Sequence, residues 1–161
     1  MIKELKIPSE RVGVLKSSLN KIRETTNTKI SVRENTVTIE GEALDVWKAK
    51  DIVKAIGRGF APEKAMNLLN DDNVLYVINL SEHGMSENKM KRVKGRIIGR
   101  HGKTRRKIEE LSGSMVSVYG KTVSIISPFN KVSKVKNAIE MLINGSKQNK
   151  VYNYLLRCSN D

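Results

Sequence analysis

The sequence predicts an α+β protein built from two tandem copies of one β-α-α-β-β-α unit. Three observations carry that prediction. Residues 22–39 align with residues 108–125 at a constant offset of 86. Within each copy the apolar spacing switches from the helical period to strand alternation and back. In the second copy, two helical patterns meet at Gly99-Arg100-His101-Gly102, a turn with glycine at both ends.

The repeat is close. Ile22/Ile108, Glu24/Glu110, Ser31/Ser117, Val32/Val118, Thr36/Thr122, Val37/Val123 and Ile39/Ile125 are identities. Thr26/Ser112, Ile30/Val116 and Thr38/Ser124 are conservative, and the register runs on through Val46/Val132, Val53/Ile139 and Ile56/Leu142. A repeat of this length is large enough to fold alone. Upstream of Ile22 the register breaks: Gly13-Val14-Leu15-Lys16 pairs with Gly95-Arg96-Ile97-Ile98 at an offset of 82, and Ser17 then pairs with Lys103. The four residues missing from the first copy are Gly99 to Gly102.

Each element follows from its pattern. Ile2, Leu5 and Ile7 mark a short strand stopped by Pro8. Residues 9–25 read as helical through Val12, Leu15, Leu19 and Ile22. Lys29–Val32 and Thr36–Glu40 alternate as strands joined by the turn Arg33-Glu34-Asn35. Ala43–Ile56 is an amphipathic helix ended by Gly57, with Trp47 expected as a core anchor. A short helix follows from Pro62 to Leu69, and the polar run Asn70–Asn73 marks a boundary. The expected division is residues 1–73 and 74–161. The second copy opens with strand Val74–Leu80, a polar loop over 81–87 and a basic helix. The helix after the glycine turn carries Ile108 and Leu111 on one face and ends at Gly113. Strands Met115–Val118 and Thr122–Ile126 flank Tyr119-Gly120-Lys121. Ser127-Pro128 opens a helix through Val132, Val135, Ile139 and Leu142, ended by Gly145, and residues 147–157 form a further short helix.

Charge separates the two copies. The 161-residue chain carries a formal net charge of +13. Residues 1–73 hold 13 basic and 11 acidic residues, a net of +2; residues 74–161 hold 17 and 6, a net of +11. From Lys89 to Lys107 there are ten Lys or Arg residues and no acid. A solvated helix normally mixes signs, so this stretch points to an anionic partner. No Trp or Phe lies opposite it, which favours nucleic acid over a membrane surface. The longest apolar run, Val74–Ile78, is too short to cross a bilayer. A single cysteine, Cys158, excludes an internal disulfide and fits a reducing, intracellular, cytoplasmic setting.

The glycine turn has a definite chemistry. Glycine reaches positive φ and lets a ligand approach where a Cβ would stand. The following helix aims its free N–H groups and positive dipole end at the turn, where a phosphate can lie. Arg100 and His101 occupy the tip. Arg96, Lys103, Arg105, Arg106 and Lys107 add long-range attraction. Ile97, Ile98, Ile108 and the strand residues Val116, Ser117 and Val118 are expected to wall a groove for unstacked bases.

Other chemistries fit less well. Gly102-Lys103-Thr104 resembles the end of a nucleotide-binding P-loop, but Ile97 stands where that motif needs its first glycine. His83 and His101 have no Cys or carboxylate at ligand spacing, so no metal or other cofactor is expected. Glu109 and Glu110 are adjacent and diverge on a helix, so they are not a catalytic pair. An aromatic share of 4% argues against a stacking platform. A non-enzymatic binding protein is the expectation. Its rivals are a general or messenger-RNA single-strand binder, a protein-binding adaptor and a nuclease subunit.

Ile98-Gly99-Arg100-His101-Gly102 within β-α-α-β-β-α resembles the signature of a type I KH domain, which clamps about four nucleotides. Over its full length the chain is similar to the archaeal two-KH family related to the eukaryotic small-subunit assembly factor called the partner of Nob. The similarity rests on Gly95–Ile126 and on Ile56-Gly57-Arg58-Gly59-Phe60 with Pro62-Glu63-Lys64-Ala65. The resemblance implies binding to the 3′ end of small-subunit (16S) ribosomal RNA during its maturation. The implied partners are the Nob endonuclease and the α subunit of archaeal initiation factor two. Gly99, Arg100, His101 and Gly102 carry over as the phosphate clamp. The first copy departs from the pattern by lacking a glycine loop, and is expected to pack or to dock protein.

Overall fold

The computed structural model describes residues 1–159. Its chain divides into two compact units at Leu75/Tyr76, inside the strand that opens the second copy. The first runs β1 (Ile2–Lys6), a 3-10 turn (Ser9–Arg11), α1 (Val12–Ser17), α2 (Leu19–Thr26), β2 (Lys29–Arg33), β3 (Thr36–Glu40) and α3 (Ala43–Gly57). It closes with α4 (Pro62–Ala65) and a 3-10 turn at Met66–Leu69. The second runs β4 (Asn73–Asn79), a 3-10 turn (Leu80–His83), α5 (Glu87–Ile98), a 3-10 turn (Arg100–Gly102), α6 (Lys103–Ser112), β5 (Met115–Tyr119), β6 (Thr122–Pro128), α7 (Val132–Ile143) and α8 (Gln148–Ser159).

Each unit holds a three-stranded sheet with its last strand in the centre, in the orders β1-β3-β2 and β4-β6-β5. The hairpins are in matching register: Ile30 faces Ile39 in β2/β3, and Val116 faces Ile125 in β5/β6. Alternation then sends Val37 and Ile39, or Val123 and Ile125, into the core. The helices answer with Leu15, Ile22, Val53 and Ile56 in the first unit, and Ile97, Ile108, Ile139 and Leu142 in the second, all fully buried. Burying such side chains at about 1.5–3 kcal/mol each is what opposes chain entropy in units this small.

The repeat extends to fine structure. Thr26 Oγ1 donates to the Ile22 carbonyl at 2.6 Å and meets Thr28 Oγ1 at 2.8 Å. Ser112 Oγ donates to the Ile108 carbonyl and meets Ser114 Oγ, both at 2.6 Å. The left-handed residues also recur 86 positions apart: Asn27 (φ 54°) with Gly113 (φ 67°), and Glu34 with Gly120, both at φ 55°.

Five details correct the sequence reading. The helix expected over 9–25 is two helices, because Ser18 (φ −121°, ψ 9°) breaks it where the second copy carries its glycine loop. Gly57 is the last helical residue of α3 rather than its stop: a Cβ there would lie 2.8 Å from Ile7 Cγ2, and the positive φ belongs to Gly59. Trp47 is not a core anchor. It sits one residue off the buried stripe Val46-Ala49-Val53-Ile56, is 46% exposed, and has the Lys3 and Lys50 ammonium groups 5.0 and 4.9 Å from its ring centre. The second half of the Pro62–Leu69 helix tightens to 3-10. Pro128 ends β6, and α7 starts only at Val132.

Candidate nucleic-acid interface

The glycine turn is built as the sequence implies, with tighter constraints. Ser86 caps α5 by accepting from the Lys89 amide, and Met90, Val93 and Ile97 fix its inner face in the core. α5 ends at Gly99, whose φ of 74° and ψ of 175° lie in a region that essentially only glycine occupies. A Cβ on Gly99 would lie 2.2 Å from Thr104 Oγ1 and 2.7 Å from the Thr104 amide nitrogen. His101 is left-handed at φ 56°, and so is Gly102 at φ 76°. The chain thus doubles back within four residues and enters α6 directly.

No side chain caps the first turn of α6. Its leading N–H groups and positive dipole end therefore face the loop beneath the exposed Arg100 and His101. Arg106 Nη1 donates to the His101 carbonyl at 2.7 Å and ties the tip to the helix. Lys103, Arg106 and Lys107 are exposed around it.

The remaining expected residues divide into two groups. Ile98, Ser117 and Val118 are half-buried on the α5 and β5 sides of the loop. Ile97, Ile108 and Val116 do not wall a groove: they are 0, 0 and 2% exposed and belong to the core. Arg96 is engaged within the fold. Its guanidinium donates to the carbonyls of Leu142, at 2.9 Å, and Ser146, capping the C-terminus of α7.

The first unit solves the same problem with a different residue. Arg11 donates to the Ile56 carbonyl at 2.8 Å and the Phe60 carbonyl at 2.9 Å, the carbonyls 86 positions before Leu142 and Ser146. Arg11 and Arg96 are not aligned in the repeat, yet they close equivalent helix ends. Charged hydrogen bonds of this kind are worth about 1.5–3 kcal/mol. Arg96→Ala is therefore expected to lower the unfolding free energy of the second unit by about 2 kcal/mol in urea denaturation.

Sequence reasoning missed Glu109. Its Oε1 pairs with Arg105 Nη1 at 2.8 Å, and its Oε2 accepts the Val116 amide at 2.9 Å, joining α6 to the edge strand β5. In the first unit the equivalent position is Arg23, which donates to the Ile30 carbonyl at 2.6 and 3.1 Å. The sign reverses between copies, so repeat identity could not flag it. The cleft of about 400 Å³ between the end of α6, the start of α7 and α8 lies at the far end of α6 from the glycine loop. Among the described residues no group of three or more His, Cys, Asp or Glu side chains is placed to hold a metal ion. None of the helices among them is long and apolar enough to cross a membrane.

Residues 74–160 match the family described as the eukaryotic type KH domain (KH domain type I), in the form found as the second such domain of PNO1. A KH domain-containing protein of Methanocaldococcus jannaschii is 45% identical over 97% of this chain and 73% of its own length. The RNA-binding protein pno1 of Dictyostelium discoideum is 29% identical over 94% of this chain and 69% of its own. Among solved structures, Dim2p from Pyrococcus horikoshii superposes with a TM-score of 0.91 at 45% identity, covering 98% of this chain and 99% of that one. Dim2p in a complex with a/eIF2alpha and rRNA, from the same organism, gives 0.92 at 44% identity, over 100% of this chain and 95% of that one.

Proposed function

The chain belongs to the PNO1-like family of archaeal KH proteins, and from that premise we propose that it is a non-enzymatic, single-stranded-RNA-binding factor in assembly of the small ribosomal subunit. The observation that carries the reading is the glycine loop over an uncapped helix end, set in ten cations without an acid. A neighbour 44% identical to this chain is described in a complex with rRNA and an initiation-factor α subunit. The RNA segment is the 3′ end of 16S rRNA; Gly99, Arg100, His101 and Gly102 are the clamp, Lys103, Arg105, Arg106 and Lys107 add attraction, and Ile98 walls the groove. Ser117 and Val118 of β5 line the base side. The α subunit of archaeal initiation factor two and the Nob endonuclease are its protein partners, and it acts in the cytoplasm. The two domains are residues 1–73 and 74–161, with RNA held by the second.

Protein contact has its own support in the first unit. Leu44 is 83% and Trp47 46% exposed on α3, whereas Asn130 and Ser133 occupy the equivalent positions of the second unit. The second unit folds without an apolar pair at these positions, and Trp is a common anchor at protein interfaces.

The test is fluorescence anisotropy with labelled single strands: the 16S 3′ end, a scrambled strand and a duplex. Preference for the ribosomal strand is expected; equal affinity for all strands would leave a general single-strand binder. Raising salt from 50 to 200 mM should weaken binding linearly on a log–log plot, with a slope of about −0.7 per phosphate contacted. For a clamp of about four nucleotides that predicts a slope near −3. A flat salt profile would remove the phosphate clamp.

A further inference from the structure

A second acid-free basic stretch lies over α8. Residues 147–159 hold Lys147, Lys150 and Arg157 and no acid, a net of +3. The equivalent residues of the first copy, 61–73, hold Lys64 with Glu63, Asp71 and Asp72, a net of −2. The packing is shared: Ala65 and Val151, 86 positions apart, are both fully buried. The differences lie outside the core. Glu63, Asp71 and Asp72 give way to Asn149, Arg157 and Cys158, and Ala61 gives way to Lys147. A solvated surface normally mixes signs, yet the copy that bears the glycine loop has shed all three acids.

Two observations fix the direction of α8. At its start, Arg96 in the last turn of α5 donates to the Ser146 carbonyl, two residues before Gln148. Arg96 stands three residues before Gly99, about 4.5 Å along the helix axis. At its far end, Leu155 and Cys158 line the cleft with residues 110–113, the close of α6. α8 therefore runs parallel to α6. Lys147 and Lys150 stand at the loop end, and Arg157 stands at the other. Lys147 and Lys150 are exposed, as are Lys103 and Lys107 in the opening turns of α6. Among the described residues none of these four forms an ion pair. Like charges gathered without counter-charges repel one another, and a polyanion relieves that repulsion.

Resting on the RNA-binding reading above, we propose that Lys147 and Lys150, together with Lys103 and Lys107, take the phosphates of the RNA strand where it leaves the glycine loop. The contact is to the backbone alone: ammonium groups hold phosphate as point charges and read no base. The loop then selects the short segment that is clamped, and the start of α8 makes strand beyond that segment add affinity. The extension is one-sided. α6 has β5 on one flank, joined through Glu109, and α8 on the other, so one end of a bound strand passes α8 and the other does not.

The experiment uses the full chain. Truncation of the labelled 16S 3′ strand first finds the shortest segment that binds. That segment is then extended at its 5′ or its 3′ end by four abasic nucleotides, which add phosphates and no bases. Extension at one end should tighten binding several-fold at 50 mM salt and steepen the log–log salt slope by about 1.4, two phosphates at about 0.7 each. An uncharged polyether spacer of the same length should give no gain. Lys147→Gln/Lys150→Gln preserves helix propensity and should bring the ratio of extended to unextended affinity to about one. Lys131→Gln/Arg157→Gln removes the same two charges at the far end of α6 and should leave the ratio as in wild type. No gain in the wild type, an equal gain at both ends, or a gain that survives Lys147→Gln/Lys150→Gln overturns the extension and leaves the clamp standing. Failure of every segment to bind the wild type overturns the RNA-binding reading and the extension with it. Circular dichroism melts show that each variant is folded.

Discussion

Replacing Arg100 and His101 together by aspartate should weaken single-stranded RNA binding at least about 100-fold while leaving the melting temperature within a few degrees of wild type. Both side chains are exposed at the loop tip. Neither makes a side-chain hydrogen bond among the described residues, so the core loses nothing. His101 is left-handed, and aspartate is among the residues that tolerate that conformation. What changes is the field. Two carboxylates would stand where a phosphate approaches the open N–H groups of α6. They would repel the phosphate and also compete for those N–H groups as caps. The check is anisotropy on the ribosomal 3′ strand beside a thermal melt. Unchanged affinity in a folded variant would take the glycine loop out of the mechanism.

Gly99→Ala should be the most damaging single change to the loop. Alanine must adopt φ near 74° with ψ near 175°, at a cost of about 1–3 kcal/mol. Its Cβ would also sit 2.7 Å from the Thr104 backbone nitrogen, so one turn of chain must move. A further 1–3 kcal/mol is typical of such overpacking. We expect the second unit to lose about 3 kcal/mol in urea denaturation and RNA binding to fall with it. Removing the hydroxyl in a Gly99→Ala/Thr104→Ala variant should not rescue stability, because the conflict with backbone persists. Gly95→Ala is the contrast: a Cβ there would meet nothing within 4 Å, and helix propensity predicts a gain of about 0.5–1 kcal/mol. If both variants were equally stable, the steric account of the loop would fail.

The fold was legible where one periodicity governed. Leu15, Ile22, Val37 and Ile39, with their counterparts Ile97, Ile108, Val123 and Ile125, are all fully buried in the pattern the repeat predicts. The errors arose where a neighbour distant in sequence decided the outcome. Gly57 looks like a stop signal but is small because Ile7 presses on it. Arg96 looks like one more cation in a basic run, and its partners are carbonyls 46 and 50 residues away. Trp47 has the chemistry of a core residue but sits one residue off the stripe. The loop was visible because two glycines and a charge run are local features. Glu109 was not, because its meaning depends on the Val116 amide across the α6–β5 turn.

The one-residue break at Ser18 has a consequence for how a target is found. On the RNA-binding reading proposed above, only the second unit offers a four-residue loop, a clamp for about four nucleotides, and a given tetranucleotide recurs by chance about once in every 256 positions. So short a word carries too little information to mark a unique address in a long transcript. Copies that lie in base-paired stems, however, are hidden from a single-strand clamp. Selection therefore depends on which stretches are left unpaired at the moment of encounter. A protruding strand end satisfies that condition, and each stem that forms during folding of the RNA removes competitors. On that reading, targeting improves as the bound RNA folds.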